Sequence, residues 1–210
     1  MEPRAPVTVV DHPLVARHLT VLRDRATPSG VFRAALAEVG ALLAYEALRD
    51  LRTRSEDVET PLETTGGARL AGEIVVVAIL RAGLGMVEGL LRLVPEARVG
   101  HLGIHRDDAT ATPVAYSESL PAFGPEAEVV LVDPMLATGG SAVHALDRLR
   151  EAGAQHLRFV CLVAAPEGVA AVTAAHPDVP ITCAALDREL DDRAYIRPGL
   201  GDAGDRQFGT

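Results

Sequence analysis

VVLVDPMLATGGSAVHAL, residues 129–146, decides the fold. An apolar run, Val129 to Val132, stops at Asp133; the turn Ala137-Thr138-Gly139-Gly140 follows, and helical spacing opens at Ser141. A buried strand, a glycine turn and a helix start in succession build an anion cradle. Glycines let the backbone approach a phosphate closely, and the first helical turn offers unpaired N–H groups at the positive end of the helix dipole. Thr138 and Ser141 add hydroxyl donors. Asp133 stands at the strand end, placed to accept hydrogen bonds from sugar hydroxyls beside a bound phosphate. The loop fits neither GxxxxGK(S/T) nor GxGxxG, which argues against a Walker-type ATPase and a Rossmann dehydrogenase.

Outward from this stretch, short apolar runs alternate with helical spacing. Strands are expected at Ile74–Leu80, Arg98–Ile104, Glu128–Val132, Leu157–Val163 and Ile181–Leu186, with helices at Gly85–Leu93, Ser141–Ala152 and Glu167–Ala175. Continuous apolar strands between helices imply an α/β fold: a mainly parallel sheet covered by helices on both faces. Such sheets bind ligands at the carboxyl ends of their strands. Two helices precede the sheet. Leu14, Val15, Leu19 and Leu22 recur at helical spacing, Pro28-Ser29 marks a cap, and Val31–Leu51 follows the same period. Thr53–Ala68 reads as a polar, flexible connection. The chain is expected to form a single domain: N-terminal helices over about 12–51, a core over about 70–186 and a terminal segment over 187–210.

Three further pieces could meet at one site. Leu80-Arg81-Ala82-Gly83-Leu84-Gly85 follows a strand and can offer an anion both a guanidinium and close backbone. His105-Arg106-Asp107-Asp108 opens a segment of little core character that ends near Pro121, a candidate protruding arm or lid with Arg106 as its clamp. A solvated charged loop explains the same spacing. The terminal run from Tyr195 to Arg206 is rich in glycine yet carries Ile196, Leu200 and Phe208 to pack it down, so its backbone can read the edge of a neutral heterocycle.

Composition narrows the classes. All 20 cations are arginines and the formal net charge is −9, which disfavours bulk binding of nucleic acid or an anionic membrane and makes any anion site local. No window reaches transmembrane length and the first residues lack a secretory apolar run, so a cytoplasmic protein is expected. Cys161 and Cys183 lie in apolar strand-like runs and read as buried thiols. The seven histidines form no recognised metal spacing.

DPMLATGGSA (Asp133–Ala142), ILRAGLGM (Ile79–Met86), VAAPEG (Val163–Gly168) and the terminal YIRPGLGDAGDRQFGT together resemble the uracil phosphoribosyltransferases, which have the type I phosphoribosyltransferase fold. The likeness extends upstream to HPLVARHLTVLRD and FRAALAEVGALLAYEALRDL, and so covers nearly the whole chain. The cradle alone points only to a phosphoribosyltransferase; the terminal glycine block points to uracil. The resemblance implies transfer of the phosphoribosyl group of 5-phosphoribosyl 1-diphosphate (PRPP) to uracil, giving UMP and diphosphate. It further implies that Asp133, Pro134, Met135, Leu136, Ala137, Thr138, Gly139, Gly140 and Ser141 hold the ribose and its 5-phosphate. Arg81 and Arg106 would hold the diphosphate, and Ile196, Gly201, Asp202 and Ala203 the uracil. Arg106 and Asp202 would be catalytic, Asp202 also facing PRPP and either assisting loss of a proton from the base or only orienting it. Mg²⁺ held mostly by substrate oxygens, and a homodimer or larger homo-oligomer, are implied as well. His105 and Ser117-Glu118-Ser119 depart from the family's pattern beside the expected arm, so contacts there do not carry over. Other readings are a pyrimidine-responsive RNA-binding regulator, which the acidic balance disfavours, a purine or orotate phosphoribosyltransferase, and a silent interaction module.

Overall fold

The computed structural model describes residues 7–106 and 113–210. Its first half comprises β1 (Val7–Val9), α1 (Pro13–Arg23), α2 (Ser29–Ala47), β2 (Thr53–Glu59), β3 (Thr64–Leu70), β4 (Ile74–Leu80), α3 (Leu84–Leu93), β5 (Arg98–Arg106) and β6 (Pro113–Ser119). There follow β7 (Glu128–Val132), β8 (Met135–Leu136), α4 (Gly140–Glu151), β9 (His156–Ala164), α5 (Pro166–Ala175), β10 (Ile181–Leu186), β11 (Glu189–Leu190), β12 (Ile196–Arg197) and α6 (Ala203–Phe208).

One sheet runs in the order β1-β10-β9-β7-β4-β5-β6, with β8 pairing on β9. Every pairing in it is parallel except β5 with β6. Successive strand side chains point to opposite faces, so the unbroken apolar runs serve two cores at once. Val76, Ala78, Val130, Val132, Val160 and Leu162 face α1, α2 and α3. Val75, Val77, Val129, Leu131, Phe159 and Cys161 face α4 and α5. In α2 the helical period brings Phe32, Leu36, Val39 and Leu43 onto the buried side. The α/β class and the mainly parallel sheet flanked by helices are as expected, and the expected core strands and helices match within two residues at each end. Cys161 and Cys183 are buried and free.

The segment expected as a flexible connection differs. Thr53–Glu59 and Thr64–Leu70 form an antiparallel ribbon, β2–β3, closed by a turn in which the Thr60 hydroxyl accepts the N–H of both Leu62 and Glu63. Nearly every side chain on it is exposed, so it has no apolar face for a sequence pattern to reveal. Likewise, part of the segment expected as an arm is β6, an edge strand on β5. Asp107 and Asp108, the start of that expected arm, lie outside the described residues.

At the amino end of the sheet a buried cation ties two layers together. The Arg158 guanidinium, on β9, donates to Glu128 Oε2 at 3.0 Å, Asp50 Oδ1 at 2.7 Å and the Ala47 carbonyl at 2.8 Å, joining β7 to the end of α2. Removing one member of a buried pair leaves the partner's charge uncompensated. Arg158→Ala is therefore predicted to lower unfolding stability by about 3 kcal/mol, read by urea denaturation.

Candidate active site

The cradle is built where β7 ends. Asp133 N–H still donates to the Val160 carbonyl at 3.2 Å, but Pro134 bends the chain away, and its carbonyl accepts the N–H of Leu162 and Val163, both at 3.0 Å. The chain then rejoins the sheet as β8 before turning into α4. Gly139 makes that turn at φ 84°, and a Cβ there would lie 2.8 Å from Ala171 Cβ and 2.9 Å from the Gly168 carbonyl. Only glycine meets both demands. Asp133, Met135, Leu136, Ala137, Thr138, Gly139, Gly140 and Ser141 enclose a small hollow at the amino end of α4. Its size and its ring of helix-start N–H groups suit one phosphate.

The hollow adjoins a larger cavity of about 340 Å³ that shares Asp133, Met135, Ala137 and Ser141 with it. Leu80, Arg81 and Ala82, after β4, form one wall, and Ile104 of β5 another. The chain end supplies the rest: Ala194, Tyr195 and Ile196, then Gly201, Asp202, Ala203, Gly204 and Asp205. The Leu80–Arg81 peptide is cis. Arg81 lies 3.5 Å from the Asp205 carboxylate, with its guanidinium 5.5 Å from the centre of the Phe208 ring. The Gln207 amide, 1% exposed, donates to the Ala82 carbonyl at 2.9 Å and locks α6 onto the Arg81 turn.

Local polar groups shape the terminal segment. Asp191 accepts the N–H of Arg193 at 3.0 Å and of Tyr195 at 2.9 Å. The Tyr195 N–H, then that of Arg193 and the nearby Arg197 guanidinium, hold the Asp191 carboxyl below its usual range. The resulting turn presents Tyr195 and Ile196 to the cavity. Asp202 caps α6 by accepting the Asp205 N–H at 2.9 Å, so one of its oxygens is engaged in the fold itself.

Asp133 is the electrostatically unusual group. Burial pushes its carboxyl up to about 7, the negative charge of Asp202 adds to the shift, and the Met135 N–H opposes it. The folded chain thus holds the proton at pH values where the unfolded chain has released it. Among the described residues, no group of three or more His, Cys, Asp or Glu is arranged to hold a metal ion. The separate carboxylates Asp133, Asp202 and Asp205 on the cavity wall instead suit a cation that arrives on a polyanionic substrate.

Of the residues singled out in the sequence, Arg81, Asp133, Met135, Ala137, Ser141, Ile196, Gly201, Asp202 and Ala203 line the cavity, and Leu136, Thr138, Gly139 and Gly140 line the hollow. Pro134 lines neither; its carbonyl is spent on β9. Arg106 closes β5 at the carboxyl edge, and its side chain lies outside the described residues. Tyr195, Ile104 and Asp205 join the wall beyond the residues the sequence singles out for binding. Ile104 reads as ordinary strand core, and only the place of Tyr195 and Asp205 within the glycine-rich block could have signalled them.

A cradle at a strand–helix turn, an aspartate at the strand end and an arginine turn in one cavity define a phosphoribosyltransferase. The sequence profile of the uracil phosphoribosyltransferases matches residues 9–210. The chain is 59% identical over 204 residues to the uracil phosphoribosyltransferase of Salinibacter ruber, covering 97% of each. It is 54% identical over 207 residues to that of Listeria innocua, covering 98% of this chain and 99% of the relative. The solved structure of the AQ2163 protein from Aquifex aeolicus superposes with a TM-score of 0.93 at 38% identity, covering 97% and 98% of the two chains. The chain belongs to the uracil phosphoribosyltransferase family.

The Asp133 shift has a signed consequence. A carboxyl raised in the folded state stabilises the fold below the unfolded value, about 3.9, and that contribution is lost as pH rises through about 7. Asp133→Asn is predicted to raise the thermal midpoint of the unliganded protein, and by more at pH 8 than at pH 5, as followed by circular dichroism.

Proposed function

We propose that the protein transfers the 5-phosphoribosyl group of PRPP to uracil, forming UMP and diphosphate. The observation that carries this reading is the single cavity shared by Arg81, the Asp133–Ser141 cradle and the Gly201-Asp202 turn. The 5-phosphate fits the hollow at the start of α4, with Thr138 and Ser141 beside it. Asp133, in its ionised form, accepts the ribose hydroxyls. Arg81 takes the diphosphate, exchanging its contact with Asp205 for the substrate's greater charge. Arg106, at the end of the neighbouring strand, is assigned to the same leaving group. Ile196, Gly201, Asp202 and Ala203 hold the uracil. Backbone donors and acceptors suit its exocyclic oxygens and leave cytosine's amino group mismatched.

The reaction displaces diphosphate from the anomeric carbon while positive charge grows on the ribose ring. It asks little covalent work of the protein, so positioning and charge stabilisation carry the rate. Mg²⁺ would be held mainly by oxygens of PRPP and would supply charge neutralisation at the leaving group. Asp202, engaged as a helix cap by the Asp205 N–H, is assigned to the base, either assisting loss of its proton or only orienting it. The free thiols of Cys161 and Cys183 support a reducing, cytoplasmic setting. No helix among the described residues is long and apolar enough to cross a membrane. The exposed β2–β3 ribbon supports a homodimer or larger homo-oligomer, because a two-stranded ribbon alone is marginal in water.

Purified protein given PRPP, Mg²⁺ and a free base is predicted to form UMP from uracil and no nucleotide from cytosine, hypoxanthine or orotate; product from another base in preference to uracil would overturn the reading. Arg81→Met is predicted to lower kcat/KM for PRPP by roughly 10²-fold. For the parent, kcat/KM for PRPP should rise with pH through about 7, as Asp133 ionises, and the rise should be blunted in Asp133→Asn. Sedimentation of the parent should show a dimer or larger species; a monomer at micromolar concentration would refute the assembly.

A further inference from the structure

The base-reading segment is held from behind by an ion pair far from it in sequence. Asp187 stands just past β10, 7% exposed, its own N–H bonded to the Ala164 carbonyl at 2.7 Å. Its carboxylate accepts two bonds from Arg23, the last residue of α1: Nη2 to Oδ1 at 2.5 Å and Nη1 to Oδ2 at 2.9 Å. The same Oδ2 accepts the Gly199 N–H at 2.9 Å, and Arg23 Nη1 also donates to the Gly199 carbonyl at 2.7 Å. Both backbone polar groups of Gly199 are thus taken by one ion pair. Gly199 sits at φ 60°, and a Cβ there would come 2.0 Å from the Ile196 carbonyl, so the turn from Ile196 to Gly199 is tight and specific. The next carbonyl, of Leu200, accepts from Arg206, whose guanidinium lies 4.5 Å from the centre of the Phe32 ring and also donates to Asp24 and Leu22 at the end of α1.

We infer that Arg23 and Asp187 are positioning residues for the base: they fix the turn at Gly199 and so set where Ile196 and Gly201–Ala203 stand in the cavity. Neither side chain lines that cavity. A guanidinium fork against a carboxylate defines direction as well as distance, which a lysine cannot reproduce. Charge-assisted bonds in a half-buried site resist thermal loosening, and a loop held in its bound conformation binds without first losing that freedom. On this account the pair contributes to uracil affinity far more than to PRPP binding, since the cradle is held on β9 by the Pro134 carbonyl and Arg81 stands on the turn after β4. The inference rests on the uracil-reading role proposed above.

The test compares the parent with Arg23→Lys and Arg23→Met, with Arg158→Ala as a variant destabilised at the other end of the sheet. KM for uracil is predicted to rise about tenfold or more in Arg23→Met and by a smaller factor in Arg23→Lys, with KM for PRPP within about twofold of the parent. Arg158→Ala should leave KM for uracil unchanged. Backbone amide exchange across Gly199–Gly204, measured without substrates, should quicken in both Arg23 variants and not in Arg158→Ala. An unchanged KM for uracil, parallel rises in both KM values, or unchanged exchange at the turn overturns the proposal. If Arg23→Met does not fold, Arg23→Lys decides by the same readings. If the parent makes no UMP, the substrate reading fails, and amide exchange alone decides whether the pair fixes the turn.

Discussion

The parallel pairing of β4 with both β5 and β7, carried on from β7 to β9, is the constraint from which the site follows. Parallel strands in register end at one edge, so Arg81, Arg106 and Asp133, each at or just beyond a strand's carboxyl end, are delivered to the same rim. The strands can hold that register because both faces are buried. Val76 and Val130 pack toward α1–α3 while Val75 and Val129 pack toward α4 and α5. A slip by one residue would exchange the two faces and misplace every rim residue.

On this rim the cradle is shaped by the backbone, with Gly139 turning the chain at φ 84° into α4. Asp133 shows what such a rim costs. Burial at the end of β7 pushes its carboxyl up to about 7, with the charge of Asp202 adding to the shift. Asp202 divides its task, giving one oxygen to the cap of α6 and keeping its place on the cavity wall.

The chain end completes the cavity by leaning on the first helices. Arg23 and Arg206 engage successive carbonyls, of Gly199 and Leu200, while Arg33 donates to the Gln207 carbonyl at 2.6 Å and Gln207 to that of Ala82. An arginine-only set of cations suits this arrangement, because one guanidinium can bond several oxygens in fixed directions. The terminal segment, which its glycines alone would leave frayed, is thereby ordered, with Leu200 and Ile196 each 4% exposed.

The core strands, the helices between them and the cradle were legible in local spacing, as apolar runs and a glycine pair at a helix start. The terminal block pointed to uracil only through its resemblance to the family. The β2–β3 ribbon was not legible, since strands exposed on both faces carry no alternation. The short β8 was not, because only the Pro134 bend and pairing with β9 make two residues a strand. Tertiary structure alone decided that Arg81 meets Asp205, that Tyr195 and Ile104 line one cavity, and that Arg23 finds Asp187 across 164 positions of chain. Such contacts depend on how packed layers bring distant turns together, and no local pattern of residues encodes that distance.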